Sequence, residues 1–111
     1  MSREIKNIFS LKNKVIVITG AQGLLGKKHA EAVAAYGGNP VLLDLSKEAV
    51  ESMAYELNKQ YSVNASGFMV DITSESQIKE NAALLIKKYG RIDGLINNAA
   101  NNPQVEKGVK K

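Results

Sequence analysis

The sequence predicts an α/β fold, four parallel strands alternating with three helices in the order βαβαβαβ. Three observations predict it. Short apolar runs recur at residues 15–18, 41–43 and 68–70, and a fourth apolar segment, interrupted by Asp93-Gly94, spans 92–96. Between them lie longer stretches of helix formers with one apolar face. No hairpin signal joins neighbouring runs, so the strands must be linked by right-handed helical crossovers into a parallel sheet.

Each element has its own warrant. Val15-Ile16-Val17-Ile18 is β-branched throughout, as a strand buried on both faces requires. After Gly26 the composition turns to helix formers through Tyr36, and Gly37-Gly38 stops them. Val41-Leu42-Leu43 is the second strand and ends at Asp44. Ser46 can cap the second helix, whose Val50, Met53, Ala54 and Leu57 share one face at i, i+3, i+4 and i+7. Phe68-Met69-Val70 is the third strand, ended by Asp71. Ser74 and Gln77 fit a capping box for a third helix with Ile78, Ala82, Leu85, Ile86 and Tyr89 as its buried stripe and Gly90 as its stop. A fourth strand from Ile92 to Ile96 runs into Asn97-Asn98-Ala99-Ala100.

Composition narrows the function classes. The 111 residues suffice for one domain, with its core over 13–100 and a loop or disordered tail over 101–111. There is no cysteine, which excludes disulfides, thiolate metal sites and thiol nucleophiles. No metal constellation can be assembled around the single histidine, His29, expected to face solvent on the first helix. The net charge of +4 sits largely at the two ends and is not interleaved with aromatics, so nucleic acid is not an expected partner. No apolar run is long enough to span a bilayer and no leader is visible, so a cytoplasmic protein without membrane partners is expected.

The chemistry-bearing feature is the loop after the first strand, Thr19-Gly20-Ala21-Gln22-Gly23-Leu24-Leu25-Gly26. Glycines let such a loop turn tightly and approach a phosphate, while the following helix aims its N–H groups and positive dipole end at the anion. Gly26 and Ala30 give that helix a small-residue face against the sheet. A P-loop is excluded: five residues, not four, separate Gly20 from Gly26, and Lys28 stands where a Ser or Thr is needed. Asp44, 24 residues after Gly20, is placed to accept hydrogen bonds from an adenosine ribose. A 2′-phosphate about 4 Å from that carboxylate would cost roughly 4 kcal/mol at an effective dielectric near 20, before screening. No arginine in the loop or just after Asp44 compensates, so NAD(H) is expected over NADP(H). Asp71-Ile72 could hold an adenine, or Asp71 could simply cap the turn into the third helix.

Taken together, these residues resemble the short-chain dehydrogenase/reductase family. Thr19 to Gly26 looks like its cofactor loop, Asp71-Ile72-Thr73 is similar to its adenine-contacting motif, and Asn97-Asn98-Ala99-Ala100 resembles its Asn-Asn-Ala-Gly motif beside the nicotinamide ribose. The resemblance implies a Rossmann-type sheet of order 3-2-1-4. It also implies a cofactor site of Gly20, Gln22, Gly23, Leu24, Leu25, Gly26, Asp44, Asp71, Ile72, Asn98, Ala99 and Ala100. The spacing T-G-x-x-G-x-x-G departs from the commoner family form, with Leu24 replacing a glycine, and also resembles the extended, nucleotide-sugar-modifying branch. Asn-Asn-Ala-Ala points instead to the shorter oxidoreductase branch. Within that branch, Gly23-Leu24-Leu25-Gly26 with residues 97–103 resembles members assigned to bacterial surface-sugar or flagellin modification.

By the same resemblance, the catalytic Ser and the Tyr-x-x-x-Lys pair lie beyond the Asn-Asn-Ala motif, so no catalytic residue is expected in this chain. Tyr55 and Lys59 have that spacing, but on the second helix, away from the strand ends. A homo-oligomeric full-length parent acting on an alcohol or ketone, sugar-derived ones included, is the expectation. The alternatives are a non-catalytic nucleotide-binding module and a ligand-free interaction protein. An unpaired outer edge on the fourth strand should make the isolated chain self-associate.

Overall fold

The computed structural model describes residues 8–98. Ala99, Ala100 and the 101–111 tail lie outside the described residues. The elements alternate as read: β1 (Val15–Thr19), α1 (Leu24–Ala35), β2 (Asn39–Asp44), α2 (Lys47–Tyr61), β3 (Ser66–Met69), α3 (Glu75–Tyr89) and β4 (Gly94–Asn97). The strands form one parallel sheet of order β3-β2-β1-β4. This is the Rossmann-type order expected.

Strand alternation sorts the core into two layers. Ile18 and Leu42 point to one face, where Ala30, Val33 and Ala34 of α1 and Val50, Ala54 and Leu57 of α2 cover them. Val15, Val17, Val41 and Leu43 point to the other, against Leu85 of α3. Two helices on one face and one on the other make a three-layer arrangement. The chain crosses from one face to the other between β1 and β4, so a crevice opens beyond their carboxyl ends.

Local chemistry sets the helix ends. Ser46 and Ser74 cap α2 and α3, their hydroxyls accepting from the N–H groups of Ala49 and Gln77 at 3.3 Å. The capping box of α3 closes differently from the expected one. The Gln77 side chain accepts from the N–H of Asp71 at 2.9 Å, because the Ser74 N–H is already taken by the Asp71 carbonyl. Gly90 ends α3 at φ 80, as expected.

Three expectations change. β3 begins two residues early, at Ser66, and Val70 continues past it only through its N–H to the Asp44 carbonyl. β4 begins at Gly94 rather than Ile92, because Asp93 is a tie rather than a strand residue. Its carboxylate accepts from the Val15 N–H and from the Arg91 guanidinium, each at 2.8 Å. The α3 stripe is also narrower than read: Leu85 is 1% exposed, but Ile78 is 42% and Ile86 50% exposed, while Asn81 is buried. Only the Leu85 side of the helix meets the sheet, leaving an apolar trough among Val17, Leu43, Ile78, Leu85, Ile92 and Leu95. Among the described residues, no helix is long and apolar enough to cross a membrane.

Candidate nucleotide-binding site

The loop between β1 and α1 turns at Gly20, whose φ of 65 is left-handed and which therefore favours glycine. Gly26 answers a different demand. A Cβ there would lie within 2.8 Å of Ala21 Cα and closer still to the Gly20 carbonyl oxygen, so only glycine lets α1 seat against the loop. Ala30, one turn on, is fully buried as expected.

What this seating presents is an unsatisfied helix N-terminus. The N-cap of α1 is Gly23, which has no side chain to offer, and its first turn carries no acidic residue. By contrast, α2 and α3 have a serine cap and a glutamate, Glu48 or Glu75, in the same place. The N–H groups of Leu24, Leu25 and Gly26 precede the first helical hydrogen bond, from Lys27 to Gly23. They are left to an outside acceptor, and the helix dipole favours an anion there. Leu24 and Leu25 are 75% and 62% exposed, so apolar side chains flank the opening.

Asp44 closes one side. Its two oxygens accept from the N–H groups of Gln22 (2.9 Å) and Leu45 (2.8 Å), and the Ala21 N–H reaches the Leu43 carbonyl at 3.3 Å. The glycine loop is thus bound to the end of β2, and each carboxylate oxygen keeps room for a second donor. Free N–H donors and a carboxylate thus meet at one strand edge.

On the other side, the Thr19 hydroxyl donates to Asn97 Oδ1 at 2.6 Å and the Asn98 N–H donates to the Thr19 carbonyl at 3.2 Å, tying the ends of β1 and β4 across the crevice. Asn98 stands at that edge as expected. Asp71 also lies past a strand end, but its carboxylate is engaged locally, taking the hydroxyl and N–H of Thr73 at 2.7 and 2.9 Å. Those bonds, the hydroxyl first, hold it below the usual carboxylate range. Ile72 lines the trough beside α3. Asp71 therefore caps the turn that leads into α3.

Three residues outside the cradle are also placed. Tyr55 and Lys59 form a surface pair on α2, the ammonium 5.9 Å from the ring centroid. His29 does not face solvent. It is partly buried, and its Nδ1 lies 3.3 Å from Asn98 Nδ2. Helical position alone could not reveal this, because the contact spans 69 residues. Among the described residues, no group of three His, Cys, Asp or Glu could hold a metal.

Comparison with known proteins places this geometry. Residues 14–110 match the family model described as short chain dehydrogenase. The chain is 32% identical over 99 residues to an NADP-dependent mannitol dehydrogenase of Alternaria alternata, covering 86% of this chain and 37% of that protein. It is 37% identical over 91 residues to an NAD-dependent glycerol dehydrogenase of Listeria innocua, covering 82% and 34%. Among solved structures it resembles an NADPH-dependent 3-quinuclidinone reductase from Rhodotorula rubra, with a TM-score of 0.77 at 32% identity over 86% of this chain and 36% of that one. The chain belongs to the short-chain dehydrogenase family, whose fold binds nicotinamide cofactors. It spans about a third of the length of these relatives.

Proposed function

We propose that this chain is one dinucleotide-binding domain, the NAD(H)-binding portion of a short-chain oxidoreductase acting on an alcohol or ketone. The observation that carries the reading is the acid-free, uncapped N-terminus of α1 hydrogen-bonded through Gln22 to Asp44. Gly20, Gln22, Gly23, Leu24, Leu25 and Gly26 supply the loop and the N–H groups for the pyrophosphate, and Asp44 takes the adenosine ribose. Asp71 and Ile72 border the adenine side. Asn98, with Ala99 and Ala100 following it, borders the nicotinamide side. The bound cofactor supplies the hydride acceptor or donor.

The negative charge of Asp44 favours a ribose with free hydroxyls over one carrying a 2′-phosphate, which supports NAD(H) although the relatives include both preferences. The relatives named for mannitol and glycerol support a polyol-like alcohol and its ketone as the substrate class. The acid–base groups that act on the substrate oxygen belong to the part of the family fold this chain does not span. The chain by itself is therefore expected to bind and not to turn over. Calorimetric titration with AMP, NAD and NADP tests the reading. Binding of AMP and NAD with at least tenfold weaker NADP is expected; equal or tighter NADP overturns the cofactor preference, and no binding of any overturns the site.

A further inference from the structure

We propose that His29 is a positioning residue that orients the Asn98 carboxamide at the nicotinamide end of the site, an inference that rests on the cofactor reading above. Asn98 is held at the end of β4 by its backbone, the N–H donating to the Thr19 carbonyl at 3.2 Å. Nothing in that bond fixes the side-chain torsions. The contact that does so is with His29, which reaches across from α1 and meets Asn98 Nδ2 with Nδ1 at 3.3 Å.

The chemistry of the pair sets its polarity. A carboxamide nitrogen only donates, so His29 Nδ1 must be the unprotonated nitrogen and Nε2 must carry the hydrogen. His29 lines a shallow, largely apolar depression together with Phe9, Leu11, Val33, Tyr36 and Ile96. With one Nδ2 hydrogen committed to His29, the carboxamide oxygen and its second hydrogen are fixed in orientation. A ligand group there then meets an Asn98 that is already ordered, which removes a side-chain entropy cost from binding.

The test pairs His29→Leu, which fills the apolar setting but cannot accept, with His29→Asn, whose Oδ1 can stand near the Nδ1 position. NAD and AMP are titrated into each full chain, and ¹⁵N shifts of the imidazole are recorded where the ring is neutral. The expected result is a loss of NAD affinity by about threefold to tenfold in H29L, the range of one hydrogen bond. AMP affinity should be unchanged, H29N should recover the loss, and wild-type His29 should carry its hydrogen on Nε2. Asn98→Ala should lose as much, with no further loss in the double variant. An H29L chain that matches wild type for NAD, or a wild-type ring protonated at Nδ1, overturns the inference while the cofactor reading stands. A wild-type chain that binds neither AMP nor NAD overturns both.

Discussion

The carboxylate of Asp44 accepts the backbone N–H of Gln22 at 2.9 Å, so the residue expected to select the cofactor also anchors the loop proposed to cradle it. The two roles make separable predictions. Asp44→Asn keeps an acceptor for Gln22 but removes the charge. It should leave NAD binding within a few-fold of wild type and raise NADP binding by at least about tenfold, since one unit of charge at about 4 Å is worth kilocalories even after screening. Asp44→Ala removes both and should weaken NAD by about tenfold or more, as a lost charged hydrogen bond would. Competitive titration of the two cofactors against each variant separates these effects.

The two inner glycines of the loop are not equivalent. A methyl group at Gly26 would collide with backbone atoms of Gly20 and Ala21, whereas one at Gly23 would meet only the Gly20 oxygen, at 3.4 Å. Gly26→Ala should therefore destabilise the fold by about 1–3 kcal/mol or more, the range of core overpacking. Gly23→Ala should unfold near wild type while crowding the phosphate approach. Urea denaturation of both variants checks the ranking.

Acid sensitivity should trace to the start of β4. The Arg91 guanidinium, and after it the Val15 N–H, hold Asp93 below the usual carboxylate range. A carboxylate with a depressed folded pKa contributes stability above its unfolded value, about 3.9, and loses it as pH falls through the folded one. Asp93→Asn should therefore lower stability at neutral pH and flatten the decline below about pH 4. Tyr89 has the opposite dependence: burial raises its hydroxyl despite the Ser66 contact. Its contribution is present below about pH 10 and is lost as pH rises toward the folded value. Thermal melts across pH, with Tyr89→Phe as the control at the alkaline end, test both signs.

The trough beside α3 predicts association. Ile78 and Leu95 expose apolar surface beside the outer edge of β4, which among the described residues pairs only with β1. The 111-residue chain should sediment above its monomer mass, and Ile78→Lys with Leu95→Lys should shift it toward monomer. By contrast Leu85→Ala, at the buried end of the same face, should cost about 2–5 kcal/mol of stability. A clean wild-type monomer contradicts the first expectation.

How much of this was legible in the sequence depended on whether the physics was local. β-branched runs, serine caps and glycine stops name the strands, helices and order, because each acts within a few residues. The loop, Asp44 and Asn98 could be placed at the carboxyl edge of the sheet because each follows or ends a strand. The breadth of the α3 stripe was not, since periodicity shows which residues share a face and not how much of that face is covered. Asp93 and His29 were missed for a related reason: their partners, Val15 and Asn98, lie 78 and 69 residues away. Asp71 was read in two ways, and its bonds to Thr73 show the turn-capping one.

The central claim is that a dinucleotide lies across the N-terminus of α1 and the end of β2. Amide chemical-shift mapping of the chain with increasing NAD tests it most directly. Saturable shifts centred on Gln22 to Gly26, Asp44 and Asn98 are expected, with the outer face of α2 around Tyr55 and Lys59 unmoved. Saturating NAD that leaves the Gln22 to Gly26 amides in place, or shifts centred elsewhere, would contradict it.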